Sequence, residues 1–248
     1  MPSFARILTS GAFCLSVISG CAASHTLLSP EDRSAIERQL TSQPTHYLKL
    51  SYYVTPFFGD ASKKLLTALP PEDLRLLENP NGTPINPGQI ETILPAGTRA
   101  RLTRVEFPTA FVVADRMLYT PRTQTWVYLE VEGWARDRPL ILVLRPQINS
   151  RKEFSTELER YLSDRDPSTK LEEWPEFIRS AVKTKSAVES MPAEALEMAW
   201  GYPEIKRLSF DGPVRKEEWV YAGERRKAYV ANGRLERTAH VPAPSEAR

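Results

Sequence analysis

Few side chains in this chain could do covalent or metal chemistry. Its 248 residues hold two cysteines, Cys14 and Cys21, and three histidines, His25, His46 and His240. They assemble no ligand set at zinc spacing, and no His-Glu-x-x-His occurs. A Gly-x-Ser-x-Gly elbow, a phosphate-binding glycine loop and a dinucleotide fingerprint are also missing. Carboxylate pairs such as Glu172-Glu173 and Glu217-Glu218 carry the groups of a glycosidase acid and base. Among 31 Asp and Glu they read as solvated charge. The expectation is a chain that is not an enzyme, with no catalytic residues, no metal and no cofactor. Guanidinium chemistry remains. Arg99, Arg101 and Arg104, and then Arg225, Arg226, Lys227, Arg234 and Arg237, make two β-rich regions locally basic. Such strands present a solvated face or an edge guarded against pairing, and they also suit phosphate oxygens.

Cys21 is the one thiol in a defined context. Arg6 precedes an apolar or small stretch from Ile7 to Gly20, too short to span a bilayer. The stretch ends in Ile18-Ser19-Gly20-Cys21, which resembles a bacterial lipobox. The resemblance implies a signal peptide over residues 1–20, diacylglycerol on the Cys21 thiol, and cleavage that frees its amine for a third acyl chain. Buried acyl chains contribute ~0.8 kcal/mol per CH₂, so several of them anchor stably. Ala22 stands where an Asp favours inner-membrane retention, which implies the periplasmic face of the outer membrane. Cys14 leaves with the signal, so no intramolecular disulfide remains. Loss of Arg6 lowers the formal net charge from +2 to +1.

The elements around these residues follow from composition and periodicity. Lys plus Arg number 33 against the 31 acids, so nucleic acid is not an expected partner. Mean hydropathy is −0.39, which excludes a polytopic membrane protein. Prolines number 21 against 11 glycines, as expected for many stiff connections between short elements. Residues 21–45 read as a tether carrying a short helix. Ser29 caps it, Pro30 fills its first position, and Ile36 and Leu40 form a thin stripe that rests on the body or extends the tether. Residues 46–148 read as a β-rich, barrel-like domain. Its strands are His46–Val54, Arg99–Glu106, Phe111–Tyr119, Thr125–Gly133 and Leu140–Arg145, with a helical turn over Lys63–Leu69. Leu140-Ile141-Leu142-Val143-Leu144 is apolar on both faces and belongs at the centre. The phrase Leu94-Pro95-Ala96-Gly97-Thr98 before an alternating strand resembles the divergent turn of bacterial Src-homology-3-like barrels.

Residues 149–240 read as helices followed by an α+β unit, and 241–248 as a disordered tail. Ser150-Arg151-Lys152-Glu153 is a capping box. A short helix runs from Met191 toward Gly201 and stops before Pro203. Three antiparallel strands follow, turning at Gly223-Glu224 and Asn232-Gly233. Met191, Leu196, Gly201, Pro203, Trp219, Tyr221, Tyr229, Asn232 and Gly233 resemble the pattern of the SmpA/OmlA (BamE-like) family of outer-membrane lipoproteins. That resemblance implies helices on a three-stranded sheet, no catalysis, and scaffolding contacts with envelope proteins. Trp219 and Tyr221, on one strand face, and the adjacent Arg225 and Arg226 are the candidate interaction residues. The fold class is therefore α+β. Two other functions stay open: a peptidoglycan- or lipopolysaccharide-binding module, and a cell-wall hydrolase without familiar motifs.

Overall fold

A computed structural model describes residues 26–42, 44–134 and 138–240. Cys21, His25, residues 1–20 with the expected signal peptide, and residues 241–248 with the expected disordered tail lie outside the described residues. The first helix, α1 (Pro30–Thr41), starts at the expected cap: Ser29 Oγ accepts from the Asp32 N–H at 3.1 Å, and Glu31 and Asp32 sit at the positive helix end. Leu28 and Ile36 are buried in the main core, so the helix rests on the body.

The fold is α+β, built on one large mixed sheet and one separate antiparallel sheet. The large sheet holds β1 (Thr45–Leu48), β2 (Tyr52–Phe57), β3 (Asp60–Thr67), β4 (Thr92–Leu94), β5 (Arg99–Glu106), β6 (Trp126–Val131), β7 (Leu140–Val143) and β8 (Leu162–Ser163), in the order β4-β2-β3-β7-β6-β5-β1-β8. Only β3 and β7 pair in parallel. β1 and β2 are halves of one bent strand, and so are β4 and β5. The pairing continues through the bend: the Leu48 N–H donates to Thr98 O, and the Gly97 N–H donates to Leu48 O. Because β4 runs on into β5, the strand order closes on itself, and the sheet curls round Leu48, Tyr52, Val54, Val127, Leu140 and Leu142. On its outer face Phe57, Leu65, Trp126 and Ile141 form a second cluster with Leu74. β7 is buried on both faces, as its unbroken apolar run predicts.

Two expected elements differ. Lys63–Leu69 is strand rather than helical turn, because it falls in β3 between β2 and β7, where Leu65 and Leu66 enter the two cores. Phe111–Tyr119 is not a strand. It is helix α2 (Ala110–Asp115), capped by Thr109 Oγ1, followed by a turn. β5 pairs directly with β6, so no place is left between them.

Beyond the barrel come α3 (Arg151–Leu158), α4 (Ser168–Glu172), α5 (Glu176–Lys183) and α6 (Ala193–Trp200). Ser150 caps α3, and the Glu153 carboxylate accepts from the Asn149 N–H. The second sheet holds β9 (Ile205–Asp211), β10 (Val214–Tyr221), β11 (Arg226–Ala231) and β12 (Arg234–His240), in the order β12-β11-β10-β9. It has four strands rather than three. All of β9 is exposed, so its sequence shows no in-out alternation; only its pairing with β10 makes it a strand. Asn232-Gly233 forms the expected two-residue turn with both φ positive, 47° and 76°. Gly223-Glu224 does not form one. Tyr221 pairs with Arg226, and the longer loop between them points Arg225 at the barrel. Gly201 ends α6 at φ 88°, ψ −175°, with Ala68 Cβ only 3.0 Å from where a Cβ would stand.

Candidate functional site

The four expected interaction residues do come together, but they face inward. Trp219 and Tyr221 lie on the helix-facing side of β10 and are fully buried. The Tyr221 ring packs edge-on against Trp200 at 5.6 Å, and its hydroxyl donates to Gly201 O at 3.3 Å. Trp219 Nε1 donates to Glu217 Oε2 at 2.8 Å, and the Lys206 ammonium sits 4.0 Å from its ring centre. Both aromatics are core, and neither offers a surface to a partner. Arg225 and Arg226 close on Asp73, which follows β3 in a single 3-10 turn, Pro71–Asp73. Arg225 bonds the Asp73 carboxylate and donates to Glu72 O at 3.0 Å; Arg226 stacks over Trp200 at 4.6 Å. The Asp73 side chain is only 1% exposed, so these arginines are consumed in joining the second sheet to the barrel.

The same seam holds a buried amine that sequence reasoning missed. Lys185 follows α5 at φ 57°, the left-handed position past a helix end that Gly or Asn usually fills. Its Nζ donates to Ser51 O at 2.6 Å and Ala199 O at 2.5 Å, with Tyr53 beside it. Burial, and secondarily the charge of Arg226, push its pKa down to about 7. Ser51 lies in the bend between β1 and β2, where its own N–H and C=O turn away from the paired strand. Its N–H donates to Met198 O and its hydroxyl donates to Val182 O. The bend thus frees backbone groups that the helices then satisfy.

A groove of about 450 Å³ runs beside β5 and β6, lined by Arg99, Arg101, Glu130, Trp134 and Arg138 among others. Arg101 pairs with Glu130 across the strands. A wider cleft of about 700 Å³ lies between Ala96–Thr98, Gly133 and helices α4 and α5. It carries Glu132, Glu172 and Glu176 with Arg179 and Lys183. Arg179 holds the Glu176 carboxyl below the usual range, opposite to what a general acid needs. Of the sequence-level acid pairs, Glu173 bonds Lys170, Glu217 bonds Trp219, and Glu218 bonds Arg207 and Lys227. His46 is buried with Nδ1 2.7 Å from Asp164 Oδ1. Among the described residues no group of three or more His, Cys, Asp or Glu is placed to hold a metal. No helix there is long and apolar enough to cross a membrane.

A third arrangement braces the segment after α2. The Arg116 guanidinium carbon lies over Trp126, 3.7 Å from the ring centre, and the group donates to Arg122 O and Gln124 O, each at 2.7 Å, and to Glu106 O at 3.1 Å. Burial lowers its pKa to about 10, against the pull of Glu106, so it stays charged. Arg122 donates back to Val113 O, and Trp126 Nε1 donates to Pro121 O at 2.9 Å. Both ends of the 116–126 loop are thereby fixed.

Comparison with protein-family models, curated proteins and solved structures finds no match.

Proposed function

We propose that this chain is a lipid-anchored protein on the periplasmic face of the bacterial outer membrane, with a non-catalytic structural or assembly role exerted through contacts with envelope proteins. The observation that carries the reading is Ile18-Ser19-Gly20-Cys21 behind a short apolar segment. The helix, Gly201 stop and antiparallel sheet are compatible with the SmpA/OmlA-like resemblance. The contact surface moves, however. Trp219, Tyr221, Arg225 and Arg226 are occupied internally, whereas β9 is an outer strand with Ile205, Leu208 and Phe210 exposed. An unpaired strand edge of this kind accepts a strand from another protein. Metabolic labelling with an alkyne palmitate is expected to tag the intact chain and not Cys21→Ser. Label persisting on that variant overturns the anchor. Photo-crosslinkers placed along β9 are expected to capture an envelope protein in cells, and an empty capture removes the protein-contact role.

The groove beside β5 supports a second reading, an envelope-glycan-binding module. Trp134 gives a stacking surface, and Arg99 gives a guanidinium group for phosphate or carboxylate. Co-sedimentation with purified sacculi and lipopolysaccharide binding, each measured against Arg99→Ala, test it.

A further inference from the structure

The chain enters its folded body beside α2. The Thr26 N–H donates to Pro108 O at 2.9 Å, and its hydroxyl donates to Ile148 O at 2.6 Å. The next N–H, of Leu27, donates to Asn149 Oδ1 at 2.8 Å. Five residues of extended chain reach at most roughly 18 Å, so a lipid on Cys21 lies within that distance of Pro108. The surface there is unusual for so charged a chain. Phe111 is 80% exposed, Met117 52%, Leu118 69% and Tyr119 70%, and Leu27 beside the entry point is 74% exposed. Between Ala110 and Tyr119 the single exposed charge is Asp115. These side chains are not left out by a loose loop. Arg116 and Arg122 fix the backbone from below, and Thr120 closes a tight turn onto Met117 O and Leu118 O. A braced loop with its apolar side chains outward is arranged to meet an apolar phase.

We infer that Leu27, Phe111, Met117, Leu118 and Tyr119 form a docking face that inserts into the interfacial layer of the phospholipid leaflet holding the anchor. The inference rests on the anchored reading of Cys21. Reach selects lipid as the occupant, because the tether is too short to hold this face far from the bilayer. Tethering makes insertion an intramolecular step, so a few side chains suffice. Tyr and Phe suit the headgroup boundary, with the ring in the acyl layer and, for Tyr, the hydroxyl in water. The protein is thereby held in one orientation, α2 toward the membrane.

The mature acylated chain has no free thiol, so one introduced cysteine takes one probe. Phe111→Cys, Leu118→Cys and the remote, exposed Phe210→Cys, each carrying an environment-sensitive nitrobenzoxadiazole dye, are compared in the acylated protein on phosphatidylethanolamine–phosphatidylglycerol vesicles. Dye at 111 and 118 is expected to brighten at least twofold and to be quenched by nitroxide-labelled lipid, while dye at 210 does neither. If 111 and 118 behave like 210 on a chain whose intact mass shows acylation, the docking face is overturned and the anchor stands. If the mass shows no acyl chain, the anchored reading fails. On a chain that also carries Cys14→Ser and Cys21→Ser, so that the introduced cysteine is again the one labelled, a response at 111 and 118 then upholds the face as a peripheral binding surface, and silence removes it too.

Discussion

The seam around Asp73 and the segment after α2 invert each other. The seam is charged and turned inward: buried Asp73 and Lys185 and half-buried Arg225 and Arg226 meet where the barrel joins the helices and second sheet. The α2 segment is apolar and exposed, braced by an arginine that itself is buried. A charge run is most often a solvated face, and an apolar run most often core. Here each lies on the opposite side. The difference teaches that a guanidinium's place is set by whether a buried carboxylate or ring waits for it. An aromatic's place is set by whether its loop is held away from the core.

Three substitutions test the seam, in falling order of effect. Asp73→Ala leaves two half-buried arginines without the buried carboxylate they share, a loss of about 3–5 kcal/mol in urea unfolding. Asp73 Oδ2 has no hydrogen-bond partner among the described residues, so the pair with Arg225 carries most of that effect. A loss below about 1 kcal/mol means that the seam is a solvated ion pair.

Lys185 predicts a pH dependence. Its folded pKa of about 7 lies below the ordinary 10.5. Below pH 7 both states bind the proton, and the fold bears the full cost of a buried ammonium. Between pH 7 and 10.5 the unfolded chain binds a proton that the folded chain has lost, so stability rises with pH. Relative to Lys185→Met, the native protein is expected to gain roughly 3 kcal/mol between pH 6 and pH 9 at ~1.36 kcal/mol per unit. Denaturant midpoints of both proteins at each pH check this, and parallel curves remove it. Gly201→Ala is the smallest of the three, about 1–3 kcal/mol. It places a Cβ at a φ and ψ reserved for glycine and presses it on Ala68. Gly212, at a turn where a Cβ meets nothing within 4 Å, is the comparison site for strain without the clash.

What was legible in the sequence was local. The caps at Ser29 and Ser150, the Gly201 stop, the Asn232-Gly233 turn and the centrality of Leu140–Leu144 each need only a few neighbouring residues to specify them. What was not legible was set at a distance. Asp73 and Arg225 are 152 residues apart, and Lys185 and Ser51 are 134 apart, so no spacing announces either pair. Phe111-Val112-Val113 has the composition of a strand, but the Thr109 cap and the direct pairing of β5 with β6 make it a helix. β9 shows the same limit from the other side, a strand defined by its partner alone. Arg225 and Arg226 were visible as charge, and the carboxylate that draws them inward was not.

The smallest stability effect sharpens the contrast most. Phe111→Ser with Leu118→Ser removes two exposed side chains that touch little of the core, so the urea midpoint is expected to move within about 0.5 kcal/mol. A buried pair of the same types would cost several kcal/mol on truncation, since each large apolar side chain contributes ~1.5–3 kcal/mol when taken from water. If the double variant is destabilised on that scale, the loop is packed in solution and the two regions are not inverted after all. If it is not, the outward side chains are retained at no benefit to the fold. Their contribution then belongs to whatever apolar phase the loop meets, as the inward arginines' contribution belongs to the seam.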